Sequence, residues 1–235
     1  MTKVLIGCPT YKGYAYCLQE YLNGIKNIQH DDYDVLLVDN SEDDSYYNKI
    51  KALGIDVVKS KYTNNVRERI VISRNILRER ALTGGYDYFL SLEQDVIPPP
   101  FVLTHLLNHN KPMVSGIYFK LYPVTVKDKE GTIKQKKALL PLIFKFSDQE
   151  DKMEMCYPKE VEGETLMKIR ACGLGCVLIH RDVLKEVGFR YDPATDAFDD
   201  FLFCTDVTKR NVDIYADTSV KCKHLFSKKG NVFKE

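Results

Sequence analysis

Three polar residues, Glu93, Gln94 and Asp95, directly follow the apolar segment YDYFLSL. Such a segment is typical of a buried strand, and parallel sheets bind ligands beyond the carboxyl ends of their strands. Carboxylates at this position can bind a hard divalent cation, which can in turn neutralise the charge of a diphosphate. A solvated acidic turn before a proline-rich helix start is the alternative, and these residues alone leave both interpretations open.

Two further loops hold the same place relative to predicted strands. Residues 9–12 follow a strand predicted over residues 3–8, and residues 39–44 follow one predicted over residues 33–39. The loop after the first strand lacks the glycine pattern of a Rossmann dinucleotide site or a Walker phosphate loop. Any phosphate must therefore be held by something other than a glycine cradle.

The cysteines indicate the redox state of the cellular compartment and bear on whether the chain has a zinc site. The chain has seven cysteines, at positions 8, 17, 156, 172, 176, 204 and 222. Their odd number and scattered placement predict reduced, buried thiols in a cytoplasmic protein. A zinc site using Cys172, Cys176, Cys222 and His224 is a weaker alternative, because no second close Cys or His pair completes it.

Composition excludes several classes of protein. The chain has 235 residues, 44% of them hydrophobic and 29% charged, which predicts an ordinary globular domain rather than a disordered or collagen-like chain. Thirty-four basic residues against 33 acidic ones leave a net charge of +1, so we expect no nucleic-acid partner. The start of the chain does not resemble a signal peptide, and no apolar run approaches the roughly 20 residues of a membrane span. We therefore expect a soluble protein.

The first half of the chain alternates strand-like and helical patterns, which predicts a mostly parallel sheet covered by helices. The predicted strands are residues 3–8, 33–39, 55–59, 86–92 and 112–119, and the predicted helices are residues 14–28, 43–53, 66–83 and 99–109.

The second half has a different texture, with polar strand segments around a turn at Lys129, Glu130 and Gly131. We expect it to be more antiparallel. Its other predicted elements are a strand in LLPLIFKF, a strand at residues 175–180, helices at 181–188 and 200–210, and short strands in DIYA and SVKCKH. No repeat or linker separates the halves, so one continuous sheet is predicted.

The order of these segments resembles inverting glycosyltransferases of the large second family, which bind nucleotide sugars on a GT-A fold. The motifs that carry the resemblance are CPTYK, LLVDNSEDDS, NNVRERIVISRNILRERA, EQDVIPPP, RACGLGCVLIHRDVLKEVGF, FDDFLFC and YADTSVKCKHL. The resemblance implies an α/β fold, with a Rossmann-like, mostly parallel central sheet, helices on both faces and a smaller antiparallel acceptor-side portion. Residues 1–235 would form a single GT-A domain, in which residues 1–117 bind the nucleotide sugar and residues 118–235 bind the acceptor and catalyse the reaction.

The resemblance also implies a donor site and a metal site. The donor-site residues would be Pro9, Thr10, Tyr11, Asp39, Arg74, Glu93, Gln94, Gly173 and Gly175. Asp39 would contact the nucleobase or ribose, although an Asx turn in DNS is an alternative role for it. Asp95 and His224 would bind a divalent ion, Mn²⁺ or Mg²⁺, and a histidine ligand suits Mn²⁺ at least as well. Glu93 stands where the family has the first Asp of its metal motif.

Asp199 and Asp200, in FDDFLFC, match the family's acidic pair, with Asp200 as the general base. Adjacent carboxylates raise the pKa of one member, which suits a base that works near neutrality. Capping of the helix at residues 200–210 is a compatible second role. For Gly173 and Gly175, close approach to the donor and a tight entry to the following strand are equally open.

The implied function is metal-dependent inverting transfer of a sugar from a nucleoside-diphosphate donor to a hydroxyl of a glycan, lipid-linked or other acceptor. Three alternatives remain: a catalytically silent carbohydrate-binding or interaction protein on the same fold, a glycoside hydrolase and a sugar nucleotidyltransferase. Residues 118–165 match the family least, so we expect them to determine the acceptor. The tail HLFSKKGNVFKE mixes basic and aromatic residues, which leaves peripheral membrane contact as an alternative to a frayed terminus.

Overall fold

One large sheet positions the polar loops at its strand ends. The computed structural model describes residues 2–127, 131–148 and 152–226. The strands are β1 (Val4–Thr10), β2 (Tyr33–Asp39), β3 (Val57–Lys59), β4 (Tyr88–Leu92), β5 (Val96–Ile97), β6 (Met113–Ile117), β7 (Phe119–Lys127), β8 (Ile133–Pro141), β9 (Ile143–Phe146), β10 (Met153–Met155), β11 (Leu166–Ile169), β12 (Ala171–Cys172), β13 (Cys176–His180), β14 (Ile214–Lys221) and β15 (Lys223–His224). The α-helices are α1 (Leu18–Lys26), α2 (Ser45–Ala52), α3 (Val66–Thr83), α4 (Val102–Asn108), α5 (Arg181–Glu186) and α6 (Asp199–Lys209).

The central sheet has eight strands in the order β11-β14-β6-β13-β4-β1-β2-β3. Strands β1 to β4 are mutually parallel, and β14 is parallel to β6. Strand β13 is antiparallel to both β4 and β6, so six strands share one direction, and β13 and β11 oppose it. Because parallel strands end at the same edge, the loops after β1, β2 and β4 converge there.

These observations confirm the predicted α/β class with a mostly parallel central sheet. Both halves of the chain contribute strands to that sheet, as expected. Helix α3 has the predicted bounds because the Asn65 side chain accepts hydrogen bonds from the backbone N–H groups of Arg67 and Glu68. The helix ends at Gly84, and Gly85 adopts a positive φ of 75° that favours glycine. The other three predicted helices of the first half are shorter than expected.

In the second half, β7 and β8 pair as the predicted polar strands, but Lys129 and Glu130 of the predicted turn lie outside the described residues. The single strand predicted in LLPLIFKF is wrong, because the chain changes partners at Leu142. The Leu142 N–H donates to the carbonyl of Tyr118, and β9 then pairs with β10 and β12 instead of β7. The short strands predicted in DIYA and SVKCKH are largely one strand, β14.

Helix α3 packs closely against the central sheet. Its buried apolar side chains include Leu77, and Phe89 on β4 is also buried. A Cβ on Gly7 would lie 2.9 Å from Leu77 Cδ2 and would clash with the Phe89 ring, so glycine at this point of β1 permits the close approach. Among the described residues, no helix has the length and apolar character to span a bilayer.

Candidate active site

Two adjoining cavities lie where the carboxyl ends of the parallel strands meet α3, α6 and the β7–β8 pair. The larger, here the carboxylate cavity, has a volume of about 560 Å³. The smaller, here the strand-end cavity, has a volume of about 350 Å³. Both are lined by Tyr14, Ile70, Arg74, Glu93, Asp95, Lys120 and Phe198, so the two form one cleft.

Asp95 and His224 meet in this cleft although 129 positions separate them. Pairing of β15 with β5 brings them together, since His224 lies opposite Val96 in that ladder. His224 Nδ1 donates to the carbonyl of Phe119 at 2.7 Å, which directs Nε2 towards Asp95 Oδ2 at 3.2 Å. Burial opposes protonation of His224, but the hydrogen bond and charge of Asp95 outweigh it and raise the histidine pKa.

Arg74 is buried beneath the cleft and holds two carboxylates. Its Nη2 lies 2.6 Å from Glu93 Oε1, and its Nε forms an ion pair with Asp199 Oδ2. Its Nη1 donates to Ser91 Oγ at 2.7 Å. Only 1% of Arg74 and 4% of Asp199 is exposed, so the pair is protected from solvent screening. Arg74, expected beside the donor, thus makes its strongest contacts with residues of the chain itself.

Glu93 forms part of the wall of the cleft rather than standing free within it. Desolvation raises its pKa to about 7, since the repulsion from nearby carboxylates adds to burial and the charge of Arg74 only partly offsets them. One of its two carboxylate oxygens, Oε1, accepts from Arg74. Of the residues expected to bind the metal, Asp95 and His224 face each other, and Glu93 is held by a cation.

Asp199 and Asp200 are adjacent but occupy different environments. The Asp199 carboxylate points to Arg74, whereas Asp200 accepts a hydrogen bond of 2.8 Å from the N–H of Phe201. Desolvation, followed by the charge of Asp199, raises the pKa of Asp200 to about 6. Arg74 and Lys120 lower it less than those two effects raise it. Asp200 can therefore accept a proton near neutrality, as a general base must.

Three of the expected nucleoside-binding residues line a cavity, and the fourth is buried away from it. Pro9, Thr10 and Tyr11 line the strand-end cavity. Asp39 is fully buried, and its carboxylate accepts from the Ser41 backbone N–H at 3.0 Å and pairs with Lys59 Nζ at 2.9 Å. This is the Asx turn left open as an alternative. The next residue, Asn40, lines the strand-end cavity, and its side-chain amide donates to Ser73 Oγ at 3.2 Å.

Gln94 and the two glycines also have internal partners. Thr10 and Tyr46 both contact the Gln94 side-chain amide, which is 2% exposed. A Cβ on Gly175 would lie 2.5 Å from Tyr118 Cζ, and a Cβ on Gly173 would meet the Tyr118 hydroxyl. The Gly175 N–H donates to that hydroxyl at 3.1 Å. The close approach at both glycines is therefore to Tyr118 of this chain.

Several lining residues were not singled out from the sequence. They are Tyr14, Asn40, Arg69, Tyr118, Lys120, Tyr122 and Phe198. Arg69 lies between two rings, 5.0 Å from the centroid of Tyr11 and 4.9 Å from that of Tyr62. Lys120 and Tyr122 come from the segment expected to face the acceptor, as does Leu121 between them, which also lines the carboxylate cavity.

Metal-binding capacity within the described ranges is limited. All seven cysteines are free and buried, in agreement with the expected reduced thiols. Across residues 2–127, 131–148 and 152–226, no three or more His, Cys, Asp or Glu side chains are grouped so as to hold a metal ion. This disfavours the zinc alternative. It also means that any ion at Asp95 and His224 needs further ligands from a substrate or water.

No protein-family model and no curated protein sequence matches the chain. The fold is nevertheless similar to solved structures. The crystal structure of A197 from STIV is 16% identical, with a TM-score of 0.50 over 96% of this chain and 87% of that one. The crystal structure of GalNAc-T7 with UDP, GalNAc and Mn²⁺ is 11% identical, with a TM-score of 0.66 over 96% of this chain. This chain spans only 44% of the GalNAc-T7 chain. At such identities the likeness establishes the fold, which is that of a GT-A glycosyltransferase.

Proposed function

We propose that the protein is a metal-dependent inverting glycosyltransferase that moves a sugar from a nucleoside-diphosphate donor to an acceptor hydroxyl. The observation that carries the proposal is the lining of the carboxylate cavity, which contains the Asp95 and His224 pair together with Asp200. A cation-binding pair and a carboxylate with a raised pKa are the two parts that such a transfer needs. The GT-A-like fold supports the same assignment.

In the proposed reaction, Asp200 accepts the proton of the acceptor hydroxyl as its oxygen forms a bond to the anomeric carbon. The bond from that carbon to the donor diphosphate breaks on the opposite face, and the diphosphate leaves with the electron pair. Asp199, through its ion pair, positions Arg74 and adds the negative charge that keeps the pKa of Asp200 high. We therefore assign proton transfer to Asp200 and a positioning role to Asp199.

Asp95 and His224 have the donor chemistry that a divalent cation such as Mn²⁺ requires. The hydrogen bond from His224 Nδ1 to a carbonyl leaves Nε2 to act as the ligand, which is the usual arrangement of metal-bound histidines. A bound divalent cation would offset the negative charge that develops on the leaving diphosphate. Glu93, held by Arg74, would add negative charge near the site without binding the ion directly.

We place the nucleoside in the strand-end cavity, whose walls include Pro9, Thr10 and Tyr11. Asn40, which lines this cavity where Asp39 does not, would make the polar contact with the base through its side-chain carbonyl, since its amide nitrogen donates to Ser73. Residues 1–117 would then bind the donor, and residues 118–235 the acceptor, which we take to be a glycan or another hydroxyl compound. Since all seven cysteines are free, we also propose that the protein works in the reducing cytoplasm.

The proposal is tested by titrating the protein with nucleoside diphosphates and nucleotide sugars, each with and without Mn²⁺, in a calorimeter. We expect at least one nucleotide to bind more tightly with Mn²⁺, and Asp95→Ala to abolish that metal-dependent gain. Asp31→Ala, which removes an exposed carboxylate outside both cavities, is the matched control and should bind like the parent. If no nucleotide binds under any condition, the transferase proposal is wrong and a carbohydrate-binding function takes its place.

A further inference from the structure

The paired strands β7 and β8, here called the ribbon, differ in charge from the rest of the molecule. Within the described residues, each strand pairs only with the other. The segment 119–141 contains six lysines and two acidic residues, in a chain whose net charge is only +1. Residues 131–137 are exposed throughout. The ribbon is therefore a basic projection from an otherwise slightly acidic protein.

The register of the ribbon places some of these charges on one face. In the antiparallel ladder, Lys120 lies opposite Leu140, Tyr122 opposite Ala138 and Val124 opposite Lys136. Alternate residues of a strand share a face, and directly opposed residues lie on the same side. Lys120, Tyr122 and Lys136 thus share one face, and Lys137 lies on the other. Along the strand, Lys136 is roughly 14 Å beyond Lys120.

Two lysines of the ribbon, Lys136 and Lys137, have no acidic partner among the described residues. Neither Lys136 nor Lys137 makes an ion pair with any residue in the described ranges. Lysines elsewhere do, such as Lys145, which lies 2.6 Å from Glu160, and Lys168, which lies 2.7 Å from Asp213. Lys136 and Lys137 therefore keep their full charge for a ligand from outside the chain.

The same face of the ribbon begins inside the cleft. Lys120 and Tyr122 both line the carboxylate cavity, as does Leu121 between them on the other face, so the polar groups that this strand brings to the cavity are those of Lys120 and Tyr122. The charge of Lys120 lowers the pKa of Asp200, and the charge of Asp200 contributes to the raised pKa of Tyr122, so both side chains lie within electrostatic reach of that carboxylate. The face of the ribbon that carries Lys120 and Tyr122 in the cavity thus continues outwards to Lys136, which makes no ion pair within the described ranges.

Charge is segregated along this path. The carboxylate cavity is lined by four acidic residues, Glu93, Asp95, Asp199 and Asp200, which outnumber its cations Arg74 and Lys120, and this excess would disfavour an anionic acceptor group in its interior. The ribbon would attract the same group. An acceptor that suits both regions has a neutral hydroxyl at its reacting end and negative charge further along.

We propose that the Lys120, Tyr122 and Lys136 face of the ribbon binds an acceptor glycan that carries carboxylate, sulfate or phosphate groups outside the cleft. The inference rests on the proposed transferase function, to which it adds the chemical class of the acceptor. A chain-like ligand fits the track, because Lys120 and Tyr122 lie within the cavity, where a flat lipid surface does not reach. The sugar ring would stack on Tyr122 while its anionic substituents pair with the lysines.

The test measures anisotropy of a fluorescent galacturonic acid hexamer and of its neutral methyl ester. These probes share one sugar backbone and differ in their carboxyl groups, which are anionic in the acid and neutral methyl esters in the other probe. The variants are Lys136→Glu and Lys137→Glu, which reverse adjacent charges on opposite faces, and Lys49→Glu on α2, which lines neither cavity. We expect the acid to bind about tenfold more tightly than the ester. Lys136→Glu should weaken acid binding about fivefold to tenfold, and the other two variants less than about twofold.

Equal binding of acid and ester, or equal losses in Lys136→Glu and Lys137→Glu, would overturn the proposal. Binding to phosphatidylserine vesicles without binding to the hexamer would also overturn it, in favour of a membrane contact. The nucleotide titration described above separates the two proposals. Nucleotide binding without charge discrimination refutes the anionic acceptor alone, whereas charge discrimination without nucleotide binding refutes the transferase and leaves a glycan-binding face.

Discussion

The two sides of the cleft treat charge in opposite ways. On the strand-end side, polar groups are buried and bound to one another, as Asp39 is to Lys59 and Arg74 to Asp199. On the ribbon side, Lys136 and Lys137 are exposed and lack acidic partners among the described residues. Buried pairs fix a geometry, and their loss destabilises the fold, whereas exposed charges mainly influence which ligand binds. The first side is thus built for positioning and the second for selection.

Asp199 is held in a buried ion pair with Arg74, whereas the adjacent Asp200 lines the carboxylate cavity, and Asp200→Asn should have the largest effect of the variants considered. We expect Asp200→Asn to reduce the transfer rate by about 10² to 10⁴-fold, the usual contribution of a general base. The melting temperature should stay close to that of the parent. Among the described residues, the buried cation Arg74 pairs with Asp199 and not with Asp200. Initial rates at saturating donor and acceptor measure the effect.

Asp206→Asn is the control on the same helix, since Asp206 lines neither cavity and pairs with Arg190 instead. It should retain activity. Full activity in Asp200→Asn would contradict the assignment of the base and would also remove the functional distinction between the adjacent carboxylates.

Arg74→Met and Lys136→Glu compare how much each side of the cleft contributes to the free energy of unfolding. Removing a cation from a buried pair leaves Asp199 uncompensated, and such a change costs about 3 to 5 kcal/mol in the free energy of unfolding. Lys136→Glu, on the exposed ribbon, should change that free energy by less than about 0.5 kcal/mol. Urea denaturation of both variants measures the difference. Equal stabilities would show that the buried pair does not hold this side of the cleft.

Local signals in the sequence predicted most of the elements, and some of them with their observed bounds. Helix α3 has the predicted bounds because Asn65 supplies a cap and two glycines follow its last turn. The strand β2 also has its predicted bounds, since its apolar run ends at a polar turn. The break at Leu142 was missed because the hydrogen bond to the Tyr118 carbonyl, a contact across 24 positions, decides it.

The site was predicted less evenly, for a physical reason. That Asp95 and His224 lie together follows from the pairing of β5 with β15, and the resemblance to a known family anticipated it. Residue type alone could not show that Lys59 and Ser41 would take up the carboxylate of Asp39, or that Arg74 would be buried between two acids. Such roles depend on which side chains, distant in sequence, contact these residues in the fold, and sequence spacing does not contain that information.

The pH dependence of transfer should show the smallest of these effects, and it links the two sides of the cleft. Asp200 must be deprotonated to act as a base, and burial together with Asp199 raises its pKa to about 6. Activity should therefore fall as the pH falls through 6, by about tenfold between pH 7 and pH 5.

Since the charge of Lys120 lowers the pKa of Asp200, Lys120→Gln should move the midpoint of the profile to higher pH. Lys137→Gln, on the other face of the ribbon, should leave the midpoint in place. A midpoint that moves equally in both variants would mean that the ribbon acts on Asp200 only through its total charge, and that its two faces are not distinct.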